Sequence, residues 1–162
     1  MGREAINVLN ASFERIHGML VAFTDACPEN IWHESFGGYP VWQQAFHAFA
    51  CYDFFVRGLD EAPSPLYFGT QEGDVIHFQA APKTVSKAEM KEAAATAKTK
   101  IDAFFATFKD DAELYQKHEG LSARIGVPFT ILGLMVALST HGFYHLGSCD
   151  AALRQNGLQG IF

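Results

Sequence analysis

A chain of 162 residues has the length of one compact domain, and residues 1–162 read as a single domain with a continuous core. A hydrophobic fraction of 49% with 15 phenylalanines excludes general disorder, and 12 Lys+Arg against 18 Asp+Glu give a formal charge of -6 that repels phosphate backbones. Nucleic acid is therefore not an expected partner, and the three scattered cysteines, Cys27, Cys51 and Cys149, suit a reducing cytoplasm better than a secreted disulfide framework.

The opening MGREAINVLNASFERIHG carries charges where an export signal needs an uninterrupted apolar run, so no such signal is expected. The stretch from about Arg3 to Ala26 places Ile6, Leu9, Phe13, Ile16, Leu20 and Phe23 at steps of three and four, the period of one helix face. Cys27-Pro28 should end that helix, because proline cannot continue the hydrogen-bond ladder. Gly37, Gly38 and Pro40 mark a connection, after which a second, aromatic-rich helix is predicted from about Val41 to Leu59, with Phe46, Phe49, Ala50, Phe54 and Leu59 on its apolar side.

From Asp60 to Pro82 the periodicity breaks at Pro63, Pro65, Gly69, Gly73 and Pro82, and LYFG and VIHF could at most form short extended pieces. So long a connection often covers a site. Ser86 followed by Glu89 has the form of a capping box, opening a third helix with Met90, Ala94, Ala97, Ile101, Phe104, Phe105 and Phe108 as its stripe. Lys109 to Gly126 reads as a polar connection. A fourth helix is expected from near Pro128 to Asn156, stopped by Gly157. Its apolar stretch Ile131 to Leu138 is interrupted by Gly133 and falls far short of the ~20 residues that span a bilayer, so no membrane span is expected. Four long helices without a credible strand pattern predict an all-α four-helix bundle.

The stripe of the fourth helix runs through Ile131, Leu134, Met135, Leu138, His141, His145 and Cys149, so two histidines at i, i+4 interrupt an apolar face. That spacing lets two imidazoles bind one ion. His47 lies among Phe46, Ala48, Phe49 and Ala50, where an unpartnered imidazole would have to satisfy two ring nitrogens away from water, and it is the natural third ligand. Each histidine taken singly also fits an ordinary core or boundary residue bonded to a carbonyl or water. HGFYH lacks the glutamate of the H-E-x-x-H metalloprotease signature and supplies no ready general base.

PVWQQAFHAFA and HGFYHLGSCDAALRQNG together resemble segments of the DinB/YfiT-like proteins: a tryptophan-then-histidine segment early in helix two, and H-x-x-x-H-x-G followed by Leu-Arg and a closing glycine. The second is the more specific, with His141, Tyr144, His145, Gly147, Leu153, Arg154 and Gly157 in agreement. The resemblance covers most of the chain and implies a four-helix bundle with a metal held by His47, His141 and His145; a divalent ion, nickel or zinc, is expected because imidazole ligands suit both. The resemblance also implies a small-molecule substrate, possibilities being transfer of a low-molecular-weight thiol, isomerisation or hydrolysis, and a homodimer. The chemical rationale is an open metal position at which a water or thiol loses its proton near neutral pH.

Other residues offer weaker signals. Glu14 and His17 form one E-x-x-H pair, but a di-iron carboxylate bundle needs a second pair and further inward glutamates, which the fourth helix does not supply. His17 could approach the ion from helix one, and Cys51 and Cys149, each four residues after a ligand histidine, could lean toward the metal. Gln43 and Gln44 could orient His47, and Trp42, Tyr52 and Tyr144 could line a pocket, although all these side chains equally suit packing. Two functions follow: a metal-dependent enzyme on a small molecule, or a non-catalytic metal-binding or stress-response protein in which the ion is structural. The ion is expected to leave as pH falls below the ordinary histidine range, near 6.

Overall fold

A computed structural model describes residues 2–63 and 84–162. The anticipated breaks at Pro65, Gly69, Gly73 and Pro82, and the LYFG and VIHF pieces, lie outside the described residues. In chain order the elements are α1 (Glu4–Ala26), a short helix α2 (Glu29–Trp32), strands β1 (Ser35–Phe36) and β2 (Tyr39–Pro40), α3 (Val41–Val56), α4 (Lys87–Ala106), a 3-10 turn (Asp111–Tyr115), α5 (Glu119–Ile125) and α6 (Ile131–Gln155). The described chain is thus all-helical apart from one small antiparallel hairpin. That hairpin was not anticipated: Ser35 pairs with Pro40 and Phe36 with Tyr39 across Gly37 and Gly38, whose φ of 63° and 90° suit glycine.

Local chemistry sets the helix ends. Ser86 accepts a hydrogen bond from the Glu89 amide at 3.3 Å while the Glu89 carboxylate accepts from the Ser86 amide at 2.9 Å, the capping box predicted for α4. Thr130, two residues beyond the expected start near Pro128, caps α6 by accepting from Gly133 N at 3.1 Å. Helix α3 stops at Val56 rather than at Leu59, which is 60% exposed. The released carbonyls of Phe54, Arg57 and Gly58 are taken up by the Arg124 guanidinium at 3.1, 2.6 and 3.2 Å. Arg124 lies on α5, a helix inside the stretch expected to be a polar connection.

Helix α1 packs against α4 and α6, and α3 packs against the same two, so each long helix touches two others and their apolar stripes meet in one core. Ile6, Phe13, Ile16, Leu20 and Phe23 of α1 are fully buried, as their spacing requires. Helix α3 is buried on nearly every side because α2, β2 and α5 cover what α4 and α6 leave. At the centre Gly142 of α6 lets three helices close: a Cβ there would stand 2.7 Å from Ile16 Cγ2 and 2.8 Å from the Tyr52 hydroxyl. Among the described residues no helix is long and apolar enough to cross a membrane.

Candidate metal centre

The antagonism between an apolar setting and a polar ring is resolved for the three histidines by bringing them together. The i, i+4 spacing on α6 sets His141 and His145 on one side of that helix, and α3 carries His47 against them. His47 Nε2 lies 3.1 Å from His141 Nε2, and His145 Nε2 lies 3.2 Å from the same atom. His47 and His145 are buried and His141 is half-buried. Among the described residues these three form the sole group of histidine, cysteine or acidic side chains whose ligand atoms converge, all within 4.8 Å of one another.

The protonation pattern favours a cation between them. Nδ1 of His145 faces Gln44 Oε1 at 3.0 Å, and an amide oxygen can only accept, so the proton sits on Nδ1 and Nε2 presents a lone pair. His141 Nε2 is near Nε2 of both His47 and His145 and can donate one proton to one of them at most. Lone pairs aimed at a common point are what a divalent ion with imidazole ligands requires. Burial, and then the neighbouring imidazoles, push His145 far below the ordinary histidine range, and burial with His47 beside it lowers His141 to about 4. Both are therefore neutral at neutral pH, the form that ligates. Nδ1 of His141 is buried and has no hydrogen-bond partner.

The remaining candidates separate cleanly. Cys51 Sγ is 3.4 Å from Nε2 and 3.8 Å from Nδ1 of His47. It stands outside the converging group. Cys149 is fully buried in the apolar core, where burial raises its thiol pKa, and does not reach the histidines as a ligand. His17 packs against Phe13, Phe49 and Tyr52, with ring centroids 5.6, 5.4 and 6.3 Å away, and is likewise not in the group. Burial lowers its pKa to about 4. Glu14 pairs with Lys98 at 2.8 Å, so the E-x-x-H pair builds no metal site.

Gln44 serves His145, not His47 as its position one turn earlier had indicated, because α6 brings His145 alongside α3. Gln43 is buried. Trp42 and Tyr52 are core residues, whereas Tyr144 is 72% exposed and sets its ring edge-on to His145, with centroids 5.0 Å apart. Phe55, absent from the sequence-derived candidates, meets His141 edge-on at 5.4 Å. Its position eight residues after His47, two turns along α3, was the available signal. Also unforeseen is a buried ion pair between Asp53 and Arg57 at 3.1 Å, joined by Lys100, which reaches Glu61 at 2.6 Å. The i, i+4 spacing of two opposite charges in an apolar helix pointed to it.

The shape of the centre is thus set by two helices, one amide and two flanking aromatic rings. No protein-family model, curated protein or solved structure matches the chain, and the reading of the centre rests on its geometry.

Proposed function

We propose that the chain is a DinB/YfiT-like four-helix bundle that binds one divalent ion, nickel or zinc, through His47, His141 and His145, and acts as a metal-dependent enzyme on a small molecule. The observation that carries this reading is the convergence of one ligand nitrogen from each of three histidines, all within 4.8 Å of one another. Three protein ligands and an open position are the arrangement of catalytic sites, whereas structural zinc sites are closed by four. When bound, the ion would supply a Lewis acid able to lower the pKa of a water or thiol, which fits thiol transfer or hydrolysis. Gln44 holds the His145 proton on Nδ1, and the buried faces of α3 and α6 keep water from the ligand nitrogens.

The second reading, a structural ion in a non-catalytic protein, is disfavoured by the core. Ile6, Phe13, Leu20, Tyr52, Met90, Ile101 and Leu138 are buried without recourse to the histidines, so the fold has an apolar core of its own. Chelation is expected to lower the melting temperature while helical circular dichroism persists. The proposal includes a homodimer and a reducing compartment, the latter in keeping with three buried cysteines that form no disulfide. The deciding experiment combines elemental analysis of the purified protein with assays of common cellular thiols against electrophiles and of hydrolysable esters and amides. Turnover that is lost on chelation and restored by the ion supports the enzyme. Full metal content with no turnover, together with unfolding on chelation, rejects it in favour of the structural ion.

A further inference from the structure

Three observations bear on what the open position would accept. First, all three converging ligands are imidazoles, which bind a metal in their neutral form. A dication held by three neutral imidazoles therefore keeps its charge uncompensated by its ligands and favours an anionic donor. Second, His141 is only half-buried whereas His47 and His145 are buried, so the centre is open to solvent at His141. Third, two aromatic rings border the ligand histidines from different helices, Phe55 of α3 edge-on to His141 and Tyr144 of α6 edge-on to His145. Tyr144 is 72% exposed although it adjoins a buried ligand, and Phe55 is half-buried, so both present ring surface next to the centre.

Resting on the three-histidine metal reading, we propose that the centre takes ligands that join a monoanionic metal-binding head to a flat apolar group, with the head on the ion and the apolar group against Tyr144 or Phe55. Aromatic contacts contribute beyond their buried area when rings meet edge-on or offset, and they cost little ordering because each ring has two rotatable bonds. The substrate class is accordingly an aryl-bearing or similarly flat small molecule.

The test compares two probes with the same head, acetohydroxamate and benzohydroxamate, titrated calorimetrically into nickel-loaded protein, with metal content measured afterwards. Benzohydroxamate is expected to bind about tenfold more tightly, the size of one favourable aromatic contact plus its buried area. Tyr144→Ala or Phe55→Leu should bring the ratio toward unity while leaving acetohydroxamate affinity unchanged. Tyr144 is exposed, so its variant retains the fold; Phe55→Leu keeps an apolar side chain. Equal affinities in the unaltered protein, or a ratio unaffected by either substitution, overturn the aromatic subsite alone. If neither hydroxamate binds while the nickel stays in place, the open position itself is absent and the reading beneath this inference falls with it.

Discussion

Gln44 of α3 accepts a hydrogen bond from Nδ1 of His145 on α6 at 3.0 Å, which fixes the tautomer that leaves Nε2 free to bind. Partners of this kind typically change metal affinity by about 10- to 100-fold when removed. Gln44→Leu, similar in size and without an acceptor, should weaken nickel or zinc binding by about that factor in a chelator competition, while Gln44→Glu should retain it. Affinity unchanged in the leucine variant would show that the bond does not orient the ligand.

Metal content should follow the three histidines and ignore the cysteines. His141→Ala with His145→Ala should abolish binding, and His47→Ala should reduce it greatly, because two imidazoles hold a divalent ion far less well than three. Cys51→Ser should leave about one ion per chain, since its sulfur is not one of the converging ligand atoms. Elemental analysis after gel filtration reads each outcome. Loss of the ion on replacing Cys51 would mean that the thiolate turns in to close the site.

Acid should destabilise the metal-free protein over a defined range. His17 and His141 fall from the ordinary histidine value of 6.5 to about 4, each mainly through burial. Between those values the unfolded chain binds protons that the folded chain refuses, so stability rises with pH across the window and is lost as pH drops from 6.5 toward 4, by ~1.4 kcal/mol per unit for each group. His17→Phe should flatten this dependence by about one proton, measured from urea midpoints across that range. An unchanged slope would show that His17 stays protonated in the fold. Proton competition for His141 also begins well below its ordinary range, so the loaded ion should survive to a lower pH than the value near 6 that the isolated side chain implies.

What could be read from the sequence was whatever repeats along a helix. The steps Ile6, Phe13, Ile16, Leu20 and the box Ser86–Glu89 located α1 and α4, and the i, i+4 pair His141 and His145 announced a shared face. The hidden part depends on which helix lies beside which. Gln44 was assigned to the wrong histidine because local spacing favours a partner on the same helix, whereas the packing of α3 on α6 supplies His145. The same packing turned Trp42 and Tyr52 inward and left Tyr144 out. Helix α5 was missed since seven residues are too few to show a period, and its Arg124 acts on carbonyls some 70 residues earlier, a partner that no window of sequence contains.

The tightest point of the core gives the last prediction. A methyl at Gly142 would press on Ile16 Cγ2 at 2.7 Å and on the Tyr52 hydroxyl at 2.8 Å, and both lie on neighbouring helices that cannot both retreat. Gly142→Ala should therefore destabilise the protein by roughly 1–3 kcal/mol, as overpacked cores do, even though alanine is the better helix former. It should also disturb metal binding, because His141 precedes it and moves with the same turn of α6. The Tyr52 hydroxyl is fully buried with no hydrogen-bond partner, so Tyr52→Phe removes an unmet desolvation cost and should be neutral or stabilising by up to ~1 kcal/mol. The double variant should recover part of the loss, since the phenylalanine ring lacks one of the two atoms that the new methyl meets. Thermal melts of the two single variants and the double variant form a cycle that measures this coupling. Strict additivity would show that Ile16, and not the tyrosine oxygen, sets the spacing between α6 and its neighbours.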